Sequence, residues 1–461
     1  MKTPSPKTVS EAPISVEGLA PTLDALLSYA KQAGAEQCDA VATHGRSLSV
    51  AVRERELEDV DSSEGRDVGL RVIIDGRQAC VSSSDMSDMS LKMLAERAVA
   101  MARLAPRDPY CGLASKTLLA DPKAEPDLQL FDPTLRTPEI LKTRALEVED
   151  AALSVKGVTQ AEGASASWAS SAIYFATSEG FGSGWQSSRH GLSVSAIAGK
   201  NGSMERDFDY DGTRWLEDLR APSDIGKGAG ERVIARLGSR KIKSAQLPVI
   251  FEERLAGSLI SAFLGAINGS AIARGVSFLK DRMGESVFGD QIQIIDDPLI
   301  IRGQGSRPWD GEGLPVQKRN LIENGILQTW LLNLSAAQQL GLETTAHATR
   351  GIGSPPGISA TNSYLAPGQK TPEDLMQDMG EGLLITEMFG PSLNSNTGDY
   401  SVGVAGVKIE NGQRAFPVSE ITIAGNLNEV FKTMIPANDI KFDGATNAPS
   451  LLVEGLTVAG A

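Results

Sequence analysis

The order in which apolar patterns follow one another in the first half of this chain constrains its fold most. Apolar residues spaced three and four apart predict a helix over 16–33, and alternating stretches follow over 39–82. The same succession returns with helices over 86–105 and 138–155 and alternating residues over 158–198. Such spacing is typical of helices, and alternation is typical of half-buried strands. Helices that precede runs of strands, twice, predict an α+β fold rather than a doubly wound parallel sheet.

Turn residues divide the predicted strands. Asp75-Gly76, Asn324-Gly325 and Asn411-Gly412 predict type I′ hairpins, because both central residues of that turn need positive φ. Gly65 predicts a further break between strands, and the glycines of 182–184 predict a turn. These signals describe antiparallel meanders, in which each strand pairs with the next along the chain.

The length of the chain predicts more than one domain. With 461 residues it exceeds the size of a single ordinary core. Beyond the polar stretch 238–246, helices are predicted at 252–267, 335–340 and 372–379, among short strands rich in turn signals. The predicted organisation comprises a disordered tail over 1–14, an N-terminal domain over 15–240 with helices packed on antiparallel meanders, and a C-terminal, mainly antiparallel β domain over 241–461.

Charge and cysteine content exclude several classes of protein. The formal net charge is -14, from 58 acidic and 44 basic residues, which disfavours binding to a polyanion. The three cysteines are too far apart for a close-spaced zinc motif and leave one thiol unpaired in any disulfide scheme. Neither a secretory signal nor a run of about 18 apolar residues occurs. We therefore expect a cytoplasmic protein that binds neither nucleic acid nor membrane.

Familiar catalytic patterns are missing as well. The three histidines, His44, His190 and His347, each stand alone in sequence, and no G-x-S-x-G elbow occurs. The glycines around Gly226-Lys227-Gly228 lack the preceding strand that a phosphate loop needs. The adjacent carboxylates Asp296-Asp297 diverge on any regular element, so they are predicted to be solvated charges, and Glu252-Glu253 likewise. The residues alone predict neither a cofactor nor a metal site.

Several linked blocks of residues lie in order along the second half of the chain. The blocks are Arg274-Gly275-Val276-Ser277-Phe278, Asp310-Gly311-Glu312-Gly313-Leu314-Pro315, Leu321-Ile322-Glu323-Asn324-Gly325, Thr361-Asn362-Ser363-Tyr364, Asn396-Thr397-Gly398-Asp399-Tyr400-Ser401, Ile409-Glu410-Asn411-Gly412 and Ile421-Thr422-Ile423-Ala424-Gly425-Asn426-Leu427. Each block alone is weak, but their order and spacing over some 200 residues make chance an inadequate explanation. Together they resemble the TldD/PmbA family, also known as the "modulator of DNA gyrase" family.

In catalytic, TldD-type members, the resemblance implies a zinc peptidase whose helix carries H-E-x-x-x-H, with a further thiolate ligand near the C-terminus. Aligned without gaps from the Arg274-Gly275 block, this chain has Ile260, Ser261 and Gly265 at the positions of the first histidine, the glutamate and the second histidine. None of the three can supply a zinc ligand or a general base of the usual kind. The same segment predicts a core helix with Leu255, Leu259 and Phe263 on its buried stripe.

Lacking those ligands, the chain resembles the PmbA/TldE branch of the family. The resemblance implies a subunit that assembles with a TldD-type zinc peptidase and helps to hold unfolded peptides, so that proteolysis needs that partner. The alternatives are a stand-alone peptide-binding homodimer, a gyrase-associated or nucleic-acid-associated regulator, and a metal-free hydrolase. Asn396, Asp399 and Tyr400 are predicted to lie on the substrate or partner surface; the alternative for these residues is a turn whose side chains satisfy their own backbone.

Overall fold

The computed structural model describes residues 14–200 and 203–460. The predicted tail over 1–14 falls outside this description except for Ile14, which is buried in the first core. In the first half the helices are α1 (Ala20–Ala33), α2 (Asp88–Leu104), α3 (Pro138–Leu153) and α4 (Pro222–Arg236). The strands are β1 (Gln37–Arg53), β2 (Glu56–Ile74), β3 (Arg77–Ser83), β4 (Val158–Thr177), β5 (Gly182–Ala198) and β6 (Glu205–Thr213).

Local sequence explains where these elements begin and end. Helix α1 ends at Gly34, whose φ of 107° returns its N–H to the last turn of the helix. Helices α2 and α3 begin where the hydroxyls of Ser87 and Thr137 accept backbone N–H groups. Asp75 and Gly76 have φ values of 52° and 66°, so the hairpin predicted between β2 and β3 is confirmed.

The six strands of the first half form one antiparallel sheet in the order β3-β2-β1-β4-β5-β6. It consists of two three-stranded meanders, each preceded and followed by a helix, and the first strands of the two meanders pair at its centre. Helices α1 and α2 bury Leu23, Leu26 and Leu94 against the first meander. Helices α3 and α4 bury Val148 and Ile225 against the second.

The second half is built from shorter elements around a larger core. Its helices are α5 (Glu253–Ala266), α6 (Gly269–Ala273), α7 (Leu334–Leu340), α8 (Pro372–Met379) and α9 (Leu427–Thr433). Its strands are β7 (Ala245–Gln246), β8 (Val249–Phe251), β9 (Ile294–Asp296), β10 (Arg319–Glu323), β11 (Ile326–Leu327), β12 (Ala348–Thr349), β13 (Gly357–Ile358), β14 (Ser363–Leu365), β15 (Gly382–Leu393), β16 (Asp399–Glu410), β17 (Gln413–Asn426), β18 (Ile435–Pro436), β19 (Thr446–Asn447), β20 (Leu451–Val453) and β21 (Thr457–Ala459).

The strands of the second half form three sheets, of eight, five and two strands. The eight-stranded sheet has the order β18-β20-β8-β15-β16-β17-β21-β7, and the five-stranded sheet has the order β11-β10-β9-β14-β19. Most pairs are antiparallel, and the exceptions are β8 with β15 and β14 with β19. The predicted α+β class is therefore confirmed.

Two local predictions about turns are wrong, and helix α4 was not predicted from the sequence. Gly65 is not a break, because it lies within β2 opposite Gly45. Likewise Gly182 starts β5 instead of a second turn. The glycines at 226–230 belong to helix α4, where a Cβ on Gly226 would approach the Val148 carbonyl oxygen to 2.4 Å. Here the weak helix propensity of glycine is outweighed by the close approach of α3 and α4.

The two halves of the molecule meet through an aromatic cluster and a buried ionic group. Trp309 packs against the rings of Phe181 and Trp185 at centroid distances of 5.2 and 4.5 Å. Nearby, the buried Asp39 carboxylate of β1 accepts hydrogen bonds from the Nε atoms of Arg71 at 2.5 Å and Arg350 at 2.9 Å. Within the described residues, no helix is both long enough and apolar enough to cross a membrane.

Candidate functional site

Helix α5 carries the three positions at which the family pattern places its zinc ligands and base. Ile260 faces the core and is fully buried, whereas Ser261 and Gly265 lie on the exposed side. The Ser261 hydroxyl donates to the Gly257 carbonyl at 3.0 Å, which is a bond within the helix. The predicted core helix is confirmed at Leu259 and Phe263, which are buried on its inner face, whereas Leu255 is only half-buried.

These residues do not fit a zinc ion. An aliphatic side chain and a glycine hydrogen offer no lone pair, and a hydroxyl engaged by its own helix is no general base. Elsewhere in 14–200 and 203–460, no group of three or more His, Cys, Asp and Glu side chains is arranged to hold a metal ion. No chemical step of this chain is therefore assigned to a metal at α5.

Each histidine is buried beside a carboxylate that sequence reasoning did not connect with it. The Nε2 atoms lie 2.9 Å from Glu64 for His44 and 3.1 Å from Asp132 for His190. For His190, burial lowers the pKa against the opposing effect of Asp132. The prediction that the three histidines are not joined in one site agrees with these separate pairings.

The third histidine belongs to a buried hub around Asp296, which corrects the prediction that this carboxylate is solvated. Asp296 is 1% exposed. It accepts hydrogen bonds from the hydroxyls of Thr361 and Ser363, both at 2.6 Å, and lies 3.1 Å from Nε2 of His347. Burial opposes ionisation, but these bonds outweigh it and lower the pKa of Asp296 to about 2. Ser363 bonds the carboxylate rather than the imidazole. The Thr345 hydroxyl lies 2.8 Å from Nδ1 of His347, but it is buried and also bonds the Trp330 and Leu332 carbonyls, so the hub is a buried structural network.

Adjacent carboxylates at the start of α5 are also less solvated than predicted. Glu253 pairs with Lys441, and its side chain is 12% exposed. The Glu252 carboxylate accepts a hydrogen bond from Arg254 Nε at 3.0 Å, and burial raises the pKa of Glu252 despite that contact. Both side chains contribute to the packing around the N-terminal turn of α5.

Three of the family-like blocks meet at the turn 394–398. The N–H of Phe278 donates to the Ser395 carbonyl at 2.8 Å, and the Asn426 amide donates to the Asp399 carboxylate at 2.9 Å. Asp399 also accepts the hydroxyl of Thr397 at 2.6 Å. Asn396 and Asp399 are exposed, so the turn presents polar groups to solvent while its own side chains hold its shape.

Tyr400 is placed differently from what a surface contact requires. Its side chain is 7% exposed and belongs to the core of the second half. Its hydroxyl is buried without a hydrogen-bond partner among the described residues, and burial raises the pKa of Tyr400 to about 12. In this conformation Tyr400 anchors the turn from below, and the exposed positions are Asn396 and Asp399.

A second buried acid, missed from the sequence, lies within the Asp310–Pro315 block. The carboxylate of Asp310 accepts the N–H groups of Glu312 at 2.9 Å and Leu314 at 3.0 Å, which shapes this loop. Glu312 is 5% exposed and accepts the Leu334 N–H at 2.9 Å. Burial, with the neighbouring Asp310 carboxylate adding to it, raises the pKa of Glu312 to about 8.

A cleft of about 820 Å³ lies between the two halves. One wall is the edge strand β6, and the opposite side includes the first turn of α5 and the segment 386–388 of β15. Phe208, Tyr210 and Phe442 line it with exposed fractions of 43%, 59% and 56%. Sequence reasoning missed this cleft, because its walls are more than 30 residues apart along the chain and become neighbours only when the halves dock.

The structure combines a six-stranded antiparallel sheet covered by four helices with a β-rich second half, in which α5 has no metal-binding side chain at positions 260, 261 and 265. Three family descriptions match the chain in order: PmbA/TldA metallopeptidase domain 1 at 38–102, the central domain at 131–237 and the C-terminal domain at 244–460. The chain belongs to the PmbA/TldD metallopeptidase family.

The similarity to known proteins covers almost the whole length of this chain. Metalloprotease PmbA of Escherichia coli O157:H7 is 35% identical over 94% of both chains, and a PmbA homolog of Haemophilus influenzae is 33% identical over the same share. Among solved structures, TldE from Thermococcus kodakarensis has the same fold, with a TM-score of 0.84, 21% identity and coverage of 95% of this chain and 100% of that one.

Proposed function

We propose that this chain is a non-catalytic subunit of a TldD/TldE-type metallopeptidase, which holds unfolded peptides for a TldD-type zinc peptidase subunit in the cytoplasm. The observation that carries the proposal is the chemistry of α5, where Ile260, Ser261 and Gly265 supply neither a ligand set nor a base. A family architecture without its reactive groups supports a role in assembly or substrate holding. The proposed role needs no cofactor in this chain.

The experiment is a reconstitution with a TldD-type subunit that carries H-E-x-x-x-H. An unstructured peptide is incubated with each chain alone and with both, and cleavage is followed by mass spectrometry. Cleavage by the mixture, at a rate well above that of either chain alone, is the expected result. In the matched control, the glutamate of the H-E-x-x-x-H motif in the added subunit is changed to glutamine, and the activity is expected to disappear. Cleavage by this chain alone would contradict the proposal.

Metal content gives a second and independent measurement. Elemental analysis of the dialysed chain is expected to find no stoichiometric zinc, because α5 offers no nitrogen, sulfur or carboxylate donor at the three positions. One tightly held zinc ion per chain would overturn the proposed role and the alignment of the motif.

The turn 394–398 is proposed as part of the surface that meets the peptide or the zinc subunit. Its exposed groups, Asn396 and Asp399, can pair with backbone amides and carbonyls without reading side chains. Asn396→Ala is the cleaner test, since the Asp399 carboxylate also holds the turn. The variant is expected to keep its melting temperature while cleavage by the mixture falls. Unchanged cleavage would assign the turn a structural role only, with Tyr400 as its anchor.

A further inference from the structure

The free edge of the six-stranded sheet forms one wall of the cleft, and three successive outward N–H groups of this edge are already bonded. The N–H groups of Phe208, Tyr210 and Gly212 donate to the carboxylate of the preceding residue at 2.8, 2.9 and 2.8 Å. Those residues are Asp207, Asp209 and Asp211. An edge strand normally offers such N–H groups to an added strand.

Arginines hold these carboxylates in place and occupy part of the remaining edge. Asp209 pairs with Arg220 at 2.9 Å and with Arg232 at 3.1 Å. Arg254 reaches Asp207 at 3.3 Å, and its guanidinium also donates to the Phe208 carbonyl. The Gly212 carbonyl accepts the side-chain amide of Gln304 at 2.6 Å. The N–H groups of Phe208, Tyr210 and Gly212 and the carbonyls of Phe208 and Gly212 are therefore engaged by side chains.

The net charge of the cleft lining does not favour a charged ligand of either sign. Six acidic and six basic side chains line it, so the lining is balanced. Most of these charges are paired with one another or with neighbours, as in Lys441 with Glu253 and Arg302 with Asp218. A ligand that relied on charge would have to compete with these existing ion pairs.

The exposed part of the cleft lining that carries no charge is apolar and largely aromatic. Because side chains alternate along a strand, Phe208 and Tyr210 project to the face opposite the three aspartates, and their rings stack at 6.1 Å. Arg254 lies 5.6 Å from the centre of the Phe208 ring, which supports its position. Phe442 and Ile301, both more than half exposed, also line the cleft.

We infer that the cleft selects peptides by their aromatic and large apolar side chains, received on the Phe208–Tyr210 pair, and that its β6 edge is closed to strand addition. The inference rests on the proposed peptide-holding function and specifies which peptide side chains the cleft recognises. Burial of an aromatic side chain against such a surface is favourable without any backbone pairing.

The test compares three labelled peptides by fluorescence anisotropy with the purified chain. The first is an uncharged Gly/Ser/Asn peptide with two phenylalanines, the second has serine in their place, and the third keeps the phenylalanines but is N-methylated at alternate backbone positions. The first peptide is expected to bind at least about tenfold more tightly than the second. The third is expected to bind within about twofold of the first, because a closed edge takes no hydrogen bond from the peptide backbone.

Two matched variants distinguish binding to the Phe208–Tyr210 pair from non-specific binding to other exposed apolar side chains. The double variant Phe208→Ser, Tyr210→Ser changes only exposed side chains, and it is expected to keep its melting temperature and lose the preference for phenylalanine. Met89→Ser removes a 75% exposed apolar side chain from α2, outside the cleft, and is expected to leave the preference intact.

The results that would contradict the inference differ from those that would contradict the proposed function. Equal affinity for the phenylalanine and serine peptides, or no binding of either, would overturn the inference. A large loss of affinity on N-methylation would show strand addition and overturn it as well. If the peptides bind alike and are cleaved alike by the reconstituted mixture, the inference fails while the proposed function stands. Absence of cleavage by the mixture, with the phenylalanine preference present, would count against the proposed function alone.

Discussion

At the scale of single residues, the buried acids of this protein follow opposite rules. Asp296 is surrounded by hydroxyl and imidazole donors and keeps its charge, with a pKa of about 2. Glu312 receives one backbone N–H and faces a second carboxylate, so its pKa is raised to about 8. At Asp296 the donated hydrogen bonds outweigh burial, whereas at Glu312 burial and the Asp310 carboxylate together outweigh the single backbone hydrogen bond.

Glu312 gives a pH-dependent prediction. An acid whose folded pKa exceeds its unfolded value contributes stability that is fully present below the unfolded pKa and is lost as pH rises through the folded pKa. The contribution of Glu312 is therefore expected to fall between pH 4.5 and about 8. Glu312→Gln mimics the protonated acid, so its stability relative to the wild type should rise across that window, by at most about 1.4 kcal/mol per pH unit.

Chemical unfolding at several pH values measures this difference. Glu323→Gln, on an exposed strand end, is the control and is expected to show little change with pH. A constant difference between Glu312→Gln and the wild type from pH 5 to 8 would contradict the assignment of a raised pKa.

Residue partnerships were the least predictable part of the candidate site. Asp296 and His347 are 51 positions apart, and nothing local in the sequence joins them. The adjacent pair Asp296-Asp297 was predicted to be solvated because only its neighbours in sequence were visible. The residue types at Ile260, Ser261 and Gly265 can be read from the sequence alone, and their correspondence to the zinc ligands and base of catalytic members stays a prediction.

At the scale of elements, α5 is the helix on which the proposed function depends. Phe263 packs edge to face against Phe288 at 5.2 Å and against Phe431 at 6.2 Å. The side chain is fully buried. Helix α5 is thus attached to an aromatic core.

Phe263→Ala is expected to lower the free energy of unfolding by about 3–5 kcal/mol, because the truncated side chain leaves a cavity among rigid rings. Thermal and chemical unfolding provide the measurement. Ser261→Ala, two residues earlier on the exposed face, should change stability by less than about 0.5 kcal/mol. Equal effects of the two substitutions would show that α5 is not seated in the core.

Elements with strong periodicity or caps were predicted well, and glycine-rich ones were not. Helix α8 was predicted at its observed bounds because Thr371 and Pro372 mark its start. Helix α4 was missed because its glycines serve contact with α3 rather than a turn. Strand β6 has aspartate at every second position, Asp207, Asp209 and Asp211. This pattern is visible in the sequence and could have indicated an edge strand whose N–H groups bond to side chains, and so one wall of the cleft.

At the scale of the whole molecule, the docking of the two halves depends on a backbone contact that only glycine allows. A Cβ on Gly69 of β2 would lie 1.8 Å from the Ile352 carbonyl oxygen. The contact lies beside the Asp39, Arg71 and Arg350 group. Sequence reasoning predicted the two kinds of architecture, but the way they dock depends on such distant contacts and was not predictable.

Gly69→Ala is expected to destabilise the protein by about 1–3 kcal/mol or more, since the added methyl group forces the halves apart. The matched control is Gly65→Ala on the same strand, where a Cβ meets nothing within 4 Å. Differential scanning calorimetry of both variants is the measurement. A melting temperature for Gly69→Ala equal to that of Gly65→Ala would mean that the halves do not pack as described.

The pairing of β1 with β4 at the centre of the first sheet has a consequence for biosynthesis. Strand β1, 17 residues long, leaves the ribosome well before its neighbour β4. At translation rates of about 5–20 residues per second, the roughly one hundred intervening residues take on the order of ten seconds. During that time one edge of β1 has no strand to pair with. The nascent chain therefore exposes backbone N–H and carbonyl groups that β4 covers in the folded protein.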